Sequence, residues 1–325
     1  MNKILVSRTD GIGDLLLTTP LFSELKRAFP RARITALVSA YAAPLLINNP
    51  SVDAVIIYDK KEKGLAQKLK KESFDAVFAV YPRPALAWAF FSAGIPLRYG
   101  TSSRWYSFLF NKRVKLSRKS SEKHEADYNL AVAGEFTEGA RAQKEYFFIT
   151  EVESRKAVEL MEKKGIKKGF IALHPGSKGS AWNLSAVKYT RLAAMTAGAG
   201  YCVLLTGSGA EKGDIKVIAQ NAGAKSGIFV LDEELSLRDF AAVLSLAGLV
   251  ISCSTGPMHI AAALGIKTLS FFPPDNIRAM RPKRWGPLGN DHVIIQPPEG
   301  NEKEAAMDLI DIKGVMEKIK DMAVK

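Results

Sequence analysis

Three glycine-bearing turns carry most of the residue types that could bind or transform a ligand. Each turn follows a short apolar run and precedes a segment with helical periodicity, so each is expected where a strand ends and a helix begins. The turns cover residues 8–14 (RTDGIGD), 174–182 (HPGSKGSAW) and 252–259 (SCSTGPMH). Free backbone amides at a helix start can hold an anion, and carboxylates beside them can move a proton.

The first turn favours acid–base chemistry. Gly11 and Gly13 let a ligand approach the backbone closely, and Asp10 and Asp14 stand beside them. Two carboxylates would repel a pyrophosphate, and the spacing is not G-x-G-x-x-G, so a nicotinamide-dependent dehydrogenase is disfavoured. We expect Asp14 to accept a proton from a ligand hydroxyl. The alternative is that Asp14 only complements the dipole of the helix that follows.

The second turn has the composition of a phosphate-binding loop. Small residues surround Ser177 and Lys178, whose hydroxyl and ammonium groups suit a phosphate. It is not a Walker A loop, because Lys178 is not followed by Ser or Thr at a helix start. A plain flexible loop is the alternative. His174, just inside the strand end, is more typical of a core histidine than of a catalytic one.

The third turn predicts an anion site at the start of a helix. Ser254 and Thr255 supply hydroxyls, Gly256 precedes a helix that begins near Pro257, and His259 lies on its first turn. The histidine could then hydrogen-bond a phosphate or a leaving oxygen. The alternative is a simple helix cap made by Ser254 or Thr255.

Composition is that of an ordinary globular protein. The 325 residues are 47% hydrophobic and 24% charged, about two domains of chain. No run of 18 apolar residues occurs, and the first apolar run meets Asp10 at once, unlike a secretory signal, so we expect a cytoplasmic protein. Cys202 and Cys253 lie in apolar runs and are expected to be buried thiols. We expect no metal site and no bound cofactor.

Positive charge is concentrated in the first half. Residues 1–150 hold 23 Lys and Arg against 14 Asp and Glu, and residues 151–325 hold 23 against 19. A basic segment, residues 98–123, contains one acid and the aromatic residues Trp105, Tyr106, Phe108 and Phe110. Its basic residues are Arg98, Arg104, Lys112, Arg113, Lys115, Arg118, Lys119 and Lys123. It suits an anionic partner such as nucleic acid, a phosphorylated lipid or a membrane surface; the alternative is a solvated loop with a helix face turned to the core.

Strand and helix patterns alternate along the chain, which predicts an α/β protein with parallel strands. The first helix is expected over residues 14–29, and the pattern restarts after a polar stretch at 137–144. We therefore predict two Rossmann-like, doubly wound parallel-sheet domains, 1–150 and 151–300, facing each other across a cleft with ligands at the strand carboxyl ends. A last helix near 304–322, in the segment 301–325, is expected to pack back onto the first domain.

The motifs RTDGIGDLLLTTP, IALHPGSKGSAW, TGSGAE and SCSTGPMHIAAALG, in this order and spacing, resemble the heptosyltransferase family of lipopolysaccharide core biosynthesis, also called glycosyltransferase family 9. The likeness covers nearly the whole chain. It implies the two-domain GT-B fold, inverting transfer of a heptose from ADP-heptose, and no required metal. It also implies a phosphorylated, lipid-linked oligosaccharide acceptor at the cytoplasmic face of the inner membrane. The first domain would bind this acceptor and the second the nucleotide-sugar donor; nucleic acid is not an expected partner.

The resemblance also implies individual roles. Asp14 matches the family's proposed catalytic aspartate, with Asp10, Gly11 and Gly13 on the acceptor side. Glu211 matches the glutamate that binds the ribose hydroxyls. Leu235 falls where an apolar side chain packs on the adenine. The positions assigned to the donor phosphates are Ser177, Thr255, Gly256 and His259, with Lys178 and Ser254 beside them.

Two positions depart from the family pattern. Ser254 stands where the family usually has Asp, and Ser180 stands where many members have Lys two positions before Trp182. Lys178 would then bring the positive charge to the pyrophosphate. These departures bear on the exact donor sugar. Because the fold alone does not set the nucleotide base, and because the basic face could serve binding alone, two alternatives stay open. They are a GT-B-fold transferase or epimerase that uses another nucleotide-sugar, and a non-catalytic protein that binds a nucleotide-sugar or a nucleic acid.

Overall fold

The computed structural model describes residues 1–61, 63–118, 121–177, 179–223, 227–289, 291–299 and 303–323. The chain divides into two compact units, Met1–Phe148 and Ile149–Lys325, where the sequence predicts a boundary close to residue 150. Among the described residues, none of the helices has both the length and the apolar character that crossing a bilayer demands.

A parallel sheet organises the first unit. In the described residues its strands are β1 (Lys3–Ser7), β2 (Arg33–Ser39), β3 (Ala54–Tyr58), β4 (Ala76–Ala79), β5 (Leu97–Thr101) and β6 (Lys112–Val114). Their spatial order is β3-β2-β1-β4-β5-β6, and every neighbouring pair is parallel. This is the doubly wound order, which reverses direction between β1 and β4, so ligands are expected beyond the carboxyl ends of these two strands.

Helices cover this sheet, and one of them differs from the prediction. They are α1 (Ile12–Leu16), α2 (Thr19–Ala28), α3 (Leu65–Glu72), α4 (Pro84–Ser92) and α5 (Glu125–Ala131), with 3₁₀ turns at Ala43–Leu46, Ser107–Leu109 and Gly134–Thr137. The single helix expected over residues 14–29 is α1 followed by α2. Pro20 has no N–H to donate to the carbonyl of Leu16, and the hydroxyl of Thr19 donates to that carbonyl instead, at 2.6 Å.

Strands β5 and β6 lie inside the basic segment, where the sequence did not suggest strands. The edge strand β6 carries exposed Lys112 and Arg113, and such charged edge strands have little apolar pattern. The segment between the two strands has one exposed face and one face turned to the core, as the alternative of a solvated loop with a helix face on the core expects. Tyr106, Leu109 and Phe110 enter the core of the first unit, and the ring of Phe110 lies so close to Gly100 that an added Cβ there would be 2.7 Å from it.

The second unit repeats the same topology. Its described strands are β7 (Ile171–His174), β8 (Val203–Leu205), β9 (Ile228–Val230), β10 (Leu249–Cys253), β11 (Thr268–Phe271) and β12 (His292–Ile295). They are parallel neighbours in the order β12-β11-β10-β7-β8-β9. The two units are thus both Rossmann-like, as the GT-B fold requires, and the order of the second reverses between β7 and β10.

The final helix belongs to the second unit. The helices here are α6 (Glu151–Lys163), α7 (Ala186–Gly198), α8 (Lys212–Asn221), α9 (Leu237–Leu244), α10 (Gly256–Ala263), α11 (Pro282–Trp285) and α12 (Ile312–Met322), with 3₁₀ turns at Gly209–Glu211, Arg278–Met280 and Glu304–Leu309. The expectation that the last helix packs back onto the first domain is wrong. Ile312, Val315 and Ile319 form one apolar face of α12 that is buried in the core of the second unit, and Thr196 of α7 donates to the sulfur of Met316 at 3.3 Å.

Candidate active site

The switch point of the first unit gathers the first glycine-bearing turn and two aromatic side chains. The turn follows β1, and Tyr81 follows the adjacent parallel strand β4, so both lie at the same edge of the sheet. The guanidinium carbon of Arg8 lies 5.4 Å from the centre of the Tyr81 ring. Tyr41, from the loop after β2, donates its hydroxyl to the carbonyl of Asp10 at 2.9 Å. Tyr41 thus holds the backbone of the turn at Asp10, and Tyr81 contacts the side chain of Arg8.

Arg8 is the centre of the site, although the sequence did not single it out. Its side chain is 1% exposed and donates to both acids of the turn, through Nε to Oδ1 of Asp10 at 2.7 Å and through Nη2 to Oδ1 of Asp14. Its third partner is Glu125, at 3.2 Å from Nη1. Burial lowers the pKa of a guanidinium, but the three carboxylates outweigh it and the net change is upward. Arg8 therefore stays charged and acts as a clamp on the turn.

Asp14 is held at both oxygens and still reaches solvent. Oδ1 accepts from Arg8, Oδ2 accepts from the backbone N–H of Gly11 at 3.1 Å, and a quarter of the side chain is exposed. A Cβ at Gly11 would lie 2.6 Å from Oδ2, so this contact requires glycine. Gly13 lies within α1. Asp14 does occupy the first turn of the helix, as the dipole alternative expects, and its exposed part leaves room for a hydroxyl to approach.

Asp10 has a different environment. Its side chain is 18% exposed. Burial raises the pKa of Asp10; Arg8 lowers it and Asp14 raises it, and the net direction is upward. A carboxyl group with a raised pKa is common in acid–base sites. Asp10 is therefore the second candidate for the base.

Helix α5 completes the network behind Arg8, and sequence reasoning missed it. Glu125 and Asn129 are four residues apart, hence on one face of α5, and both are fully buried. Asn129 accepts from Arg8 at 3.0 Å, and Arg118 donates to Oε1 of Glu125 at 2.9 Å. Their spacing on one helix face was visible in the sequence, but their burial and their contact with Arg8 were not. Arg118, expected on the basic surface, is instead committed to this buried cluster.

The candidate donor-binding residues of the second unit lie along one edge of its sheet. The loops after β9, β8, β7 and β10 contain Leu235, Glu211, Ser177 and Thr255, respectively. Because these strands are neighbours in the order β10-β7-β8-β9, the four loops follow one another in that order at the carboxyl edge. Leu235 is half-buried just before Ser236, whose hydroxyl caps α9 by accepting from the N–H of Asp239 at 3.1 Å.

Glu211 bridges two of these loops. Its Oε2 accepts from the N–H and the hydroxyl of Ser208, at 2.8 and 2.6 Å. Its carboxyl group also lies against Gly176, where an added Cβ would be 2.1–2.6 Å from the carboxyl atoms. Gly176 is therefore a site residue that the sequence did not identify, since any side chain there would displace Glu211.

The start of α10 has no side-chain cap among the described residues. Thr255 is at the cap position, but its hydroxyl donates to the carbonyl of Cys253 at 3.3 Å and accepts nothing from the helix. The cap alternative is therefore not realised, and the amides from Gly256 onward remain suited to an anion. Ser254 is partly exposed beside them, and His259 is buried on the first turn.

The loop after β7 contains the remaining candidates. Ser177 is half-buried, and its hydroxyl accepts from the N–H of Gly179 at 3.3 Å. Lys178 lies outside the described residues. His174 is buried, with Nδ1 at 3.0 Å from the hydroxyl of Thr206, which is the structural position expected for it.

Comparisons with known proteins agree with this architecture. The family model "Glycosyltransferase family 9 (heptosyltransferase)" matches residues 63–310. A Haemophilus influenzae protein provisionally named a glycosyltransferase is 33% identical, over 98% of this chain and 96% of its own length. Escherichia coli lipopolysaccharide heptosyltransferase 3 is 23% identical, over 86% of this chain and 85% of its own length. The structure of E. coli ADP-heptose lipopolysaccharide heptosyltransferase II superposes with a TM-score of 0.83 at 21% identity, covering 99% of this chain and 98% of that one, a likeness of fold.

Proposed function

Because the chain belongs to glycosyltransferase family 9, and is a glycosyltransferase, we propose that it moves a heptose from ADP-heptose to a sugar hydroxyl of the lipopolysaccharide inner core, with inversion at the anomeric carbon. The family supplies the reaction class. The donor, the acceptor and the stereochemistry are the proposal.

The order of side chains along the second sheet edge carries the proposal. An ADP-sugar presents in sequence an apolar base, a diol and a diphosphate. The edge presents in sequence an apolar side chain, Leu235, a carboxylate, Glu211, and the hydroxyls and helix amides near Ser177 and Thr255. A carboxylate is the natural acceptor for ribose hydroxyls, and a helix start is a natural site for phosphate. The edge thus matches the donor part by part.

The chemistry assigned to the first unit is proton transfer. The acceptor hydroxyl oxygen forms a bond to the anomeric carbon from the face opposite ADP, while the bond from that carbon to the phosphate oxygen breaks. The hydroxyl proton passes to Asp14, and the electron pair of the broken bond leaves on ADP. The amides at Gly256, with Lys178, stabilise the charge that develops on the leaving diphosphate. Arg8 keeps Asp14 oriented without touching either substrate.

The proposal includes the acceptor and its place in the cell. The acceptor is a phosphorylated, lipid-linked oligosaccharide, met at the cytoplasmic face of the inner membrane, and the reaction proceeds without a metal. Transfer that survives excess EDTA supports the last point, and transfer lost in EDTA and restored by a divalent ion contradicts it.

Nucleotide specificity is the first experiment. Thermal unfolding is measured with ADP, UDP and GDP, since a ligand that binds the folded state stabilises it by about 2.7 kcal/mol at a hundred times its Kd. Stabilisation by ADP alone is the expected result, and preference for UDP or GDP contradicts the donor. Transfer from ADP-heptose to a core oligosaccharide is then followed by the anomeric configuration of the product. ADP binding without any transfer would favour the non-catalytic alternative.

A further inference from the structure

Helix α4 and the segment between β5 and β6 each carry two exposed, large aromatic side chains. Trp88 and Phe91 of α4 are 59% and 48% exposed, and Trp105 and Phe108 of the segment between β5 and β6 are 78% and 66% exposed. These four residues are called the aromatic patch below. Scattered apolar residues are normal on a protein surface, but large aromatics grouped on neighbouring elements mark an interaction site.

The two pairs lie on elements that run side by side. Helix α4 and the 102–111 segment each leave the carboxyl edge of the sheet and return towards its amino edge, because β4, β5 and β6 are parallel. At the carboxyl edge the hydroxyl of Tyr106 donates to the carbonyl of Pro82 at 2.5 Å. Towards the amino edge Arg98 lies 5.3 Å from the centre of the Phe91 ring and donates to the carbonyl of Leu109 at 2.8 Å.

The inward faces of these elements pack together, which leaves the patch facing outward. Leu86 and Phe90 of α4 share the core of the first unit with Tyr106, Leu109 and Phe110. Among the aromatic side chains of these two elements, the four of the patch are those that do not enter this core. The patch therefore has a rigid base, which a surface for repeated docking needs.

The charged residues of the chain segment that contains the patch are all positive. The sequence has no Asp or Glu between Ala76 and Ser121. The exposed cations nearest the patch in the chain are Arg104, Lys112, Arg113 and Lys115. Trp and Phe that can enter the headgroup region, flanked by exposed Lys and Arg, form the combination that binds anionic bilayers.

We propose that the aromatic patch and the cations of β6 dock the first unit on an anionic phospholipid bilayer. Trp105 follows the carboxyl end of β5, at the same sheet edge as the Asp14 turn, so docking there brings a lipid-borne acceptor to the edge that carries the base. Only this consequence rests on the proposed function. Vesicle binding needs neither donor nor acceptor, so its failure leaves the proposed function standing.

The test is flotation of the full chain with vesicles of phosphatidylglycerol and phosphatidylethanolamine at low salt, against vesicles of phosphatidylcholine. The wild type is expected to float with the anionic vesicles only and to be released as salt is raised. Trp105→Ser with Phe108→Ser should weaken partitioning at least about tenfold, because apolar insertion is lost. Lys112→Ser with Arg113→Ser should weaken it roughly 30-fold, about a factor of five for each cation.

Matched controls come from the second unit. Val187→Ser with Leu309→Ser removes two apolar side chains that are 77% and 54% exposed, and Lys167→Ser with Lys168→Ser removes two exposed cations; both should float like the wild type. Circular dichroism confirms that each variant is folded. The proposal is overturned if the wild type stays unbound at low salt or if the patch variants float like the wild type. It is also overturned if sedimentation shows a dimer that Trp105→Ser with Phe108→Ser separates, since the patch would then join two copies.

Discussion

Arg8 binds Asp14 through Nη2 and Oδ1, so the carboxylate proposed as the base is positioned by an almost completely buried cation. The same guanidinium reaches Asp10 and Glu125, which places three negative charges around one positive charge. Arg8 therefore orients Asp14 from its buried side. Variants of Asp14 and of Arg8 can distinguish loss of the base from loss of its orientation.

Asp14→Asn should lower kcat by about 10²-fold or more and leave the Kd for ADP nearly unchanged, because the amide keeps the shape but cannot take the proton. Asp10→Asn is the matched variant on the same turn and should retain more activity. Steady-state kinetics and ADP titration provide the measurements. Near-wild-type turnover of Asp14→Asn together with an inactive Asp10→Asn would move the base to Asp10, whose raised pKa suits that role.

Arg8→Lys should lower kcat at least about tenfold with little change in ADP affinity, because one ammonium cannot hold three carboxylates in a fixed geometry. A double-mutant cycle with Glu125→Gln should give a coupling free energy of unfolding of about 1–3 kcal/mol. Arg27→Lys is the control, since Arg27 is exposed and its pair with Glu24 should contribute less than about 0.5 kcal/mol. Additive effects of the Arg8 and Glu125 changes would show that the buried pair does not act as a unit.

Glu211→Ala should weaken ADP binding by about 1.5–3 kcal/mol through loss of a charge-assisted hydrogen bond. Gly176→Ala should weaken it similarly, since the new methyl group occupies the position of the Glu211 carboxyl. Isothermal titration with ADP measures both. Because the displaced atoms are the end of a flexible side chain, Gly176→Ala should unfold at nearly the wild-type temperature.

Two further variants test whether Gly176→Ala weakens ADP binding by displacing the carboxyl group of Glu211. In a Glu211→Ala background, Gly176→Ala should cost no further ADP affinity, because the clash has gone. Gly209→Ala has open space at its Cβ and should bind ADP like the wild type. A Gly176→Ala variant with normal ADP affinity, or one whose loss adds fully to that of Glu211→Ala, would argue against this contact.

Acid should remove a defined part of the stability of the second unit. The hydrogen bond from Arg238 holds the pKa of Glu153 at about 2, below its usual 4.5. A lowered pKa stabilises the fold above pH 4.5, and the contribution is lost as the pH falls towards 2. The wild type should exceed Glu153→Gln by about 1–3 kcal/mol in free energy of unfolding at pH 7, with the difference shrinking below pH 4.5. Urea unfolding measures it.

The exposed neighbour Glu162 on the same helix is the control for this experiment. Glu162→Gln should change the free energy of unfolding by less than about 0.5 kcal/mol at either pH. A wild-type advantage over Glu153→Gln that persists unchanged at pH 3 would mean that packing, and not the charge of Glu153, stabilises the contact with Arg238.

The features predicted correctly from the sequence are those that depend on residues close together in the chain. Alternating apolar runs located nine of the twelve strands described, and the three turns fell at strand carboxyl ends, where ligands were expected. It missed β6 because two of its three residues are exposed cations. It missed Glu125 and Asn129 because their partner Arg8 is more than a hundred residues away, and no local pattern connects them. Gly176 was missed because its importance depends on a carboxylate from another loop.

Asn129 makes the geometry of the first turn depend on a distant part of the chain. Its side-chain amide donates to the carbonyl of Leu17 at 3.0 Å and to the hydroxyl of Thr18 at 3.2 Å, and its oxygen accepts from Arg8. Arg8 and Glu125 are separated by 117 positions. During synthesis on the ribosome, the turn at residues 8–14 therefore emerges long before the helix that secures it. A nascent chain in which α5 has not yet formed therefore holds Asp14, the carboxylate proposed as the base, without the contacts that Arg8 makes to Glu125 and Asn129.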